Sequence, residues 1–430
     1  MGLTFRAWVI AILACAVYIA PLRNGGSSDT FPAQLLPLSI LGDGDLAFNE
    51  FVCPVDATTG RGLPYDPQRC LRPLPYYLQA HEGRVVSTYP VVAGLLNVPV
   101  HVVAQALGVD RGRRRFRLGL ITAALISAGA VGAMVLLLGR LGFAPITATL
   151  GGLTFAFGTL AWSSSGIGLW QHGPAMLFLL LALHGLLAGE RRGLAWAGAC
   201  LALAVWTRPT NAVLALPLAL YALARHPRER LPFLAAAAVP AAAMALYSQW
   251  AFGSVLALGQ GQQMRFGDAP LEALAGVLVS PARGLFDYSP VLLLALPAVA
   301  WAWRERAPHP LLRPLMLGTA GIIAVHALWA VWWGGHSFGY RLLTETLPAL
   351  VILSALTWER AVRGRAGRVA VAALLLAWSV WANALGAWVA PCGFDTEPDY
   401  LDTHPERVWD VRDTELLRCS ARVFHAAGLR

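Results

Sequence analysis

The residues whose types and spacing suit chemistry fall in a few short polar stretches. Asp29 follows Gly25, Gly26, Ser27 and Ser28 and precedes an apolar segment holding Pro32 and Pro37. A carboxylate there can take a proton from an acceptor hydroxyl, or it can cap the helix that follows. Asp43, Asp45 and Glu50 read as turn and loop residues. The GDGD run lacks calcium-loop spacing, so no metal site is expected. In GLWQHGPAML, Gln171 and His172 sit between Trp170 and an apolar run. Their amide and imidazole can bind substrate or satisfy the fold.

Two further stretches carry arginine. In SPARGLFDYSP, Arg283, Asp287 and Tyr288 lie between two Ser-Pro pairs, which predicts a rigid turn. There Arg283 either pairs with Asp287 or, with Tyr288 beside it, binds phosphate. In WWGGHSFGYRLLTETLPAL, Gly334, Gly335 and Gly339 permit close backbone approach ahead of His336, Tyr340 and Arg341. Arg341 can snorkel, or it can grip a phosphate through two parallel hydrogen bonds. Glu345, four residues on, is expected to pair with Arg341 in helical register. Arg208, in TRPTN, is one more arginine of this set.

The elements that must position these residues are apolar. Of the 430 residues 57% are hydrophobic and 13% charged, against about 25% charged in a soluble domain. The pattern predicts an all-α polytopic membrane protein of about eleven spans. They run near 7–21, 118–138, 145–162, 173–189, 194–207, 210–224, 231–251, 289–303, 314–333, 342–358 and 369–389, with 194–207 and 210–224 forming a shallow hairpin around RPT. Every Lys-or-Arg position is Arg, as coding bias in a GC-rich genome would produce. The net charge of +9 is spread over short loops, so it speaks to topology and not to nucleic acid. Segment 7–20 reads as an uncleaved span and not a signal peptide, because apolar residues continue past Cys15 to Pro21.

Alternating the spans puts the Arg-rich stretches 190–193, 225–230, 304–313 and 359–368 on one side, which the positive-inside rule makes cytoplasmic. That parity holds if 89–107 lies in the interface. Its Pro90, Asn97, Pro99, His101 and Gln105 suit lipid poorly. The N-terminus is then cytoplasmic and the C-terminus outside. A transmembrane domain spans 1–389, with 22–117 as a large first outer loop, and 390–430 forms an outer tail. RGRRRFR at 111–117 falls outside, against the rule. Cys53, Cys70, Cys392 and Cys419 lie in outer segments where disulfides can form. Three connectivities are possible; pairing within each segment, Cys53–Cys70 and Cys392–Cys419, is preferred over the others and over free thiols. No P-loop, dinucleotide fingerprint, HExxH, CxxC or nucleophile elbow occurs.

Asp29, TFPAQLLPLSIL and GDGDL together resemble the start of the first outer loop of GT-C glycosyltransferases. The branch they resemble is the bacterial one related to protein O-mannosyltransferases and the lipid A aminoarabinose transferase. STYPVVAGLLNVPVHVVAQALG is similar to that family's next juxtamembrane element, and GYRLLTETLPAL to its late Arg-aromatic-Pro segment. The resemblance covers most of 1–360. It departs where the family's Asp-Glu pair is Asp29-Thr30, and where a second acidic residue is replaced by His172. The resemblance implies a multi-pass enzyme of the bacterial inner membrane. Such an enzyme moves a hexose or pentose from a polyprenyl-phosphate carrier to a glycan, lipid or protein acceptor, with inversion. It implies Asp29 as base, and Gln171, His172, Arg283, Tyr288, His336, Tyr340 and Arg341 as substrate-binding residues. No cofactor is expected beyond the lipid-linked donor. The rival readings are a lipid-carrier transporter or flippase and a catalytically silent GT-C-like protein. Mid-span charge is nearly absent and no internal repeat is evident, which weighs against transport.

Overall fold

In the computed structural model, residues 2–23, 25–261, 265–304 and 309–426 are described. The Arg-rich stretch 304–313 therefore lies partly outside the described residues, at 305–308. Each apolar segment singled out above coincides with a helix. These are α1 (Leu3–Ile19), α4 (Arg111–Arg140), α5 (Pro145–Phe157), α6 (His172–Ala188), α7 (Arg191–Thr207), α8 (Ala212–Arg225), α9 (Arg230–Phe252), α12 (Ala295–Arg304), α13 (Leu312–Ala327), α14 (Leu347–Thr357) and α15 (Ala366–Trp388). Between them lie α2 (Phe31–Gly42), α3 (Val92–Ala106), α10 (Pro270–Val279) and α11 (Leu285–Tyr288), and α16 (Glu415–Ala426) follows. Four stretches are long and apolar enough to cross a membrane by length and composition: 111–140, 227–252, 341–362 and 366–388. The remaining apolar helices have 10–17 residues. The fold is mostly helical, with one two-stranded antiparallel hairpin (β1, Leu78–His81; β2, Arg84–Ser87) in the first loop.

α4 is the central post. It packs against α1, α5, α6, α2 and α3, and at 1.5 Å per residue its 30 residues reach about 45 Å. It begins seven residues before the apolar run. The Asp110 carboxylate accepts from Arg113 N at 3.1 Å, so 111–117 is helix and not loop. Small residues bring neighbouring helices close: a Cβ on Gly185 of α6 would meet Gly193 O of α7 at 2.3 Å.

The polar residues of 89–107 have a different explanation from the one the sequence suggested. Asn97 Nδ2 donates to Ala33 O of α2 at 3.2 Å, and Thr122 Oγ1 of α4 donates to Asn97 Oδ1 at 2.6 Å. His101 is fully buried beside Asn97. These groups lock α3 onto α2 and α4, so they carry no information about exposure to lipid.

The tail is folded against the rest of the chain. Cys392–Cys419 and, in the first loop, Cys53–Cys70 are disulfide-bonded. Arg283 does not pair with Asp287. It is 1% exposed, and its guanidinium binds Asp395 and, at 2.6 Å, Glu415 of the tail. Tyr288 OH donates to Ala282 O at 2.8 Å within the same core. A buried and a half-buried carboxylate that far along the chain outcompete an Asp held on a neighbouring turn. Removing one member of such a buried group costs about 3–5 kcal/mol. Arg283→Ala should therefore lower the thermal unfolding midpoint in detergent and open the tail to proteolysis. An unchanged midpoint and protease pattern would contradict this role.

Candidate functional site

Local sequence explains how each side chain reaches the site. After α1 the chain turns at Ser28–Thr30, where Ser27 Oγ accepts from Asp29 N at 3.3 Å. Ser27 is thus the cap, and the Asp29 carboxylate is left to point elsewhere. Pro209 ends α7, because the residue before a proline is driven to extended backbone. Arg208 has φ −151° and ψ 109°, which throws its side chain out of the helix line. Gly334, Gly335 and Gly339 take φ of +82°, +65° and +64° and fold the loop before Arg341 into a compact turn. Arg341–Thr346 is then a 3-10 turn and not α-helix.

That turn corrects the expected Arg341–Glu345 pair. At three residues per turn, positions four apart point about 120° from each other. Arg341 Nη1 instead donates to Asp29 Oδ2 at 2.6 Å, and Nη2 to Gly334 O at 2.7 Å. The guanidinium lies over the Trp170 ring, 4.3 Å from its centre. The other carboxylate oxygen, Asp29 Oδ1, accepts from Tyr76 OH. Burial pushes the Asp29 carboxyl up. The Arg341 charge, with hydrogen bonds from Tyr76, Arg341 and Tyr89, more than offsets this and holds it below the usual carboxylate range.

Glu345 faces the opposite way. It is 1% exposed; its Oε1 lies 2.8 Å from His172 Nδ1, and its Oε2 accepts from Arg208 Nη1. Arg208 Nη2 reaches His326 Nε2 at 3.0 Å, and His326 Nδ1 lies 2.8 Å from Ile322 O. A buried carboxylate is therefore met by one arginine and one histidine, with a second histidine oriented behind the arginine.

The two charged groups share a cavity of about 550 Å³, lined among others by Asp29, Tyr76, Tyr89, Gln171, His172, Arg208, His336, Arg341 and Asp402. The structure thus brings Asp29, Gln171, His172, His336 and Arg341 together. His336 Nε2 lies 3.1 Å from Asp402 Oδ2 of the tail at the cavity wall. Three expected site residues lie elsewhere. Arg283 and Tyr288 belong to the tail-binding core described above. Tyr340 is 3% exposed, and its hydroxyl is paired with Ser289 Oγ at 2.7 Å. Tyr76 and Tyr89 were not singled out from the sequence, and their loop carries no spacing that would flag them. The sequence showed Trp170 only as the neighbour of Gln171 and His172. Among the described residues, no group of three His, Cys, Asp or Glu side chains gathers as metal ligands.

No family model matches the chain, and no curated protein does. Solved structures do. The chain is similar to ArnT from Cupriavidus metallidurans bound to undecaprenyl phosphate, at TM-score 0.55 and 14% identity, over 96% of this chain and 73% of that one. It is also similar to the Archaeoglobus fulgidus oligosaccharyltransferase in complex with Zn and sulfate, at TM-score 0.48 and 14% identity, over 94% and 57%. A third likeness is to AglB of the same organism with an inhibitory peptide and a dolichol-phosphate, at TM-score 0.46 and 12% identity, over 95% and 60%. The chain thus spans under two thirds of the oligosaccharyltransferases. The likeness to ArnT, at 14% identity, is one of fold.

The Glu345 group generates a prediction about stability. Arg208→Gln strands a buried carboxylate and should cost about 3–5 kcal/mol. Arg208→Gln combined with Glu345→Gln should cost clearly less than the sum of the single changes, since the two residues interact directly. Additive losses in a thermal-unfolding cycle would argue that they do not act as a pair.

Proposed function

We propose that the chain is an integral-membrane glycosyltransferase that moves a sugar from a polyprenyl-phosphate carrier to an acceptor hydroxyl on the extracytoplasmic face. One observation carries the reading: Arg341 and Asp29 meet at 2.6 Å in the wall of a cavity large enough for a sugar phosphate. A guanidinium and a carboxylate are the two groups such a transfer needs. The fold likeness to ArnT, a protein bound there to undecaprenyl phosphate, supports the choice of carrier. The topological reading completes it: eleven spans, the N-terminus cytoplasmic, and the first loop and tail outside in a bacterial inner membrane. Two disulfides, one in that loop and one in that tail, are consistent with an oxidising side.

In this account the acceptor O–H bond breaks and its proton passes to Asp29. The acceptor oxygen attacks the anomeric carbon of the hexose or pentose. The carbon–oxygen bond to phosphate breaks on the opposite face, with inversion, and polyprenyl phosphate leaves with the electron pair. Arg341 stabilises the charge that develops on that phosphate, the term that usually dominates such reactions. Gln171, His172 and His336 line the space around the sugar and supply hydrogen-bonding groups to its hydroxyls. Arg208 and Glu345 hold the His172 ring.

Asp29→Asn should slow transfer by about 10²–10⁴-fold, the range expected for loss of a general base. Arg341→Ala should weaken binding of a polyprenyl phosphate by on the order of tenfold to a hundredfold. Both are measured with purified protein and a radiolabelled lipid-linked sugar pool. Wild-type transfer by Asp29→Asn would remove the base from this account, and unchanged binding by Arg341→Ala would move the phosphate elsewhere.

A further inference from the structure

We propose that Asp29 and the carrier phosphate compete for Arg341, so that donor binding is what releases the base. The inference rests on the transferase reading above and adds an order of events to it.

Arg341 already gives a donor on each Nη to a protein acceptor in this structure. Nη1 is held by Asp29 and Nη2 by Gly334 O, at 2.6 Å and 2.7 Å. Nε is enclosed and makes no hydrogen bond among the described residues, and the Trp170 ring covers one face. A phosphate that takes the Nη1 donor now given to Asp29 displaces that carboxylate. Gly334 O belongs to a loop turn built on left-handed glycines. The Asp29 side chain is the partner that can leave by rotation, and it is the one whose charge a phosphate duplicates. Two anions beside one cation repel each other, so occupancy by phosphate drives the carboxylate away.

The chemistry requires the same separation. In an inverting displacement the base and the leaving group work on opposite faces of the sugar. In inverting glycosidases the two catalytic carboxyl groups stand about 6.5–9.5 Å apart. A base in direct contact with the cation that receives the leaving group cannot serve an acceptor on the far face. The contact therefore describes a resting state, and it must open. Tyr76 explains why Asp29 is not lost when it does: the phenol holds Oδ1, the oxygen that Arg341 does not use. Once Arg341 is withdrawn, the carboxylate keeps the tyrosine hydrogen bonds from Tyr76 and Tyr89, and the position that Nη1 held on Oδ2 opens to the acceptor. It also becomes a better base, because the cation that favoured its ionised form has gone. Hydrolysis of the donor by stray water is disfavoured too, since no base is presented until the sugar occupies the cavity.

The test is binding of a short-chain polyprenyl phosphate to full-length protein in detergent, by calorimetry. Asp29→Asn and Asp29→Ala should bind it more tightly than wild type, by on the order of tenfold, although both fail to transfer. At mildly acidic pH the wild type should take up protons on binding, as Asp29 leaves Arg341. Neither variant should do so. If wild type binds and the variants bind equally or more weakly, with proton uptake unchanged, the competition is overturned and the transferase reading stands. If wild type does not bind the lipid phosphate at all, the transferase reading itself fails. A misfolded variant leaves proton uptake by the wild type as the deciding measurement: its absence overturns the proposal.

Discussion

Arg341 and Asp29 are 312 positions apart in sequence and 2.6 Å apart in space, each with a side chain only 13% exposed. Charges that poorly hydrated are costly unless matched, and this constraint orders the structure around them. The turn after α1 delivers the carboxylate, capped by Ser27 so that its oxygens are spare. The 3-10 turn before α14 delivers the guanidinium. The Trp170 ring and the Gly334 carbonyl hold that guanidinium in one orientation. Because the turn is 3-10, Glu345 is aimed away from Arg341 and must find other partners. Arg208, freed from α7 by Pro209, and His172, opening α6, meet it. One short turn thus feeds two charged groups, one on each side, and the cavity lies between them.

The rest of the fold supports this arrangement at longer range. α4 packs against α1, α5 and α6 as well as α2 and α3, so the Asp29 turn and the His172 helix start are carried by helices that share one post. The tail closes the cavity from another side: Asp402 reaches His336, while Arg283 anchors Asp395 and Glu415 underneath. Arg283 therefore touches no substrate in this account. It acts through the tail, and its buried charge holds a wall in place.

Much of the architecture was legible in the sequence, because lengths and apolar runs are local properties. Every apolar segment became a helix. The cysteines paired within their own segments, as Cys53–Cys70 and Cys392–Cys419. Asp29, His172, Gln171, His336 and Arg341 stood out by type and position, and they meet at one cavity. What was not legible is pairing. Helical spacing assigned Glu345 to Arg341, and only the tighter turn separates them. The local pattern offered Arg283 either Asp287 or a phosphate, whereas its partners lie more than a hundred residues on. Asn97 and His101 read as misfits in lipid, yet Asn97 is bonded to Ala33 O and Thr122, and His101 is buried beside it. Tyr76 comes from a proline-rich loop in which nothing periodic points to the site. Apart from that local turn at Arg341, each miss concerns a contact between distant segments, where sequence pattern holds no distance information.

The most direct test of the account is a structure of this chain with a polyprenyl phosphate bound. The account predicts a phosphate oxygen on Arg341 Nη1, the guanidinium still over Trp170, and the Asp29 carboxylate out of hydrogen-bond reach of Arg341 while still bonded to Tyr76. A phosphate seated elsewhere in the cavity, with the Asp29–Arg341 contact intact, would contradict it.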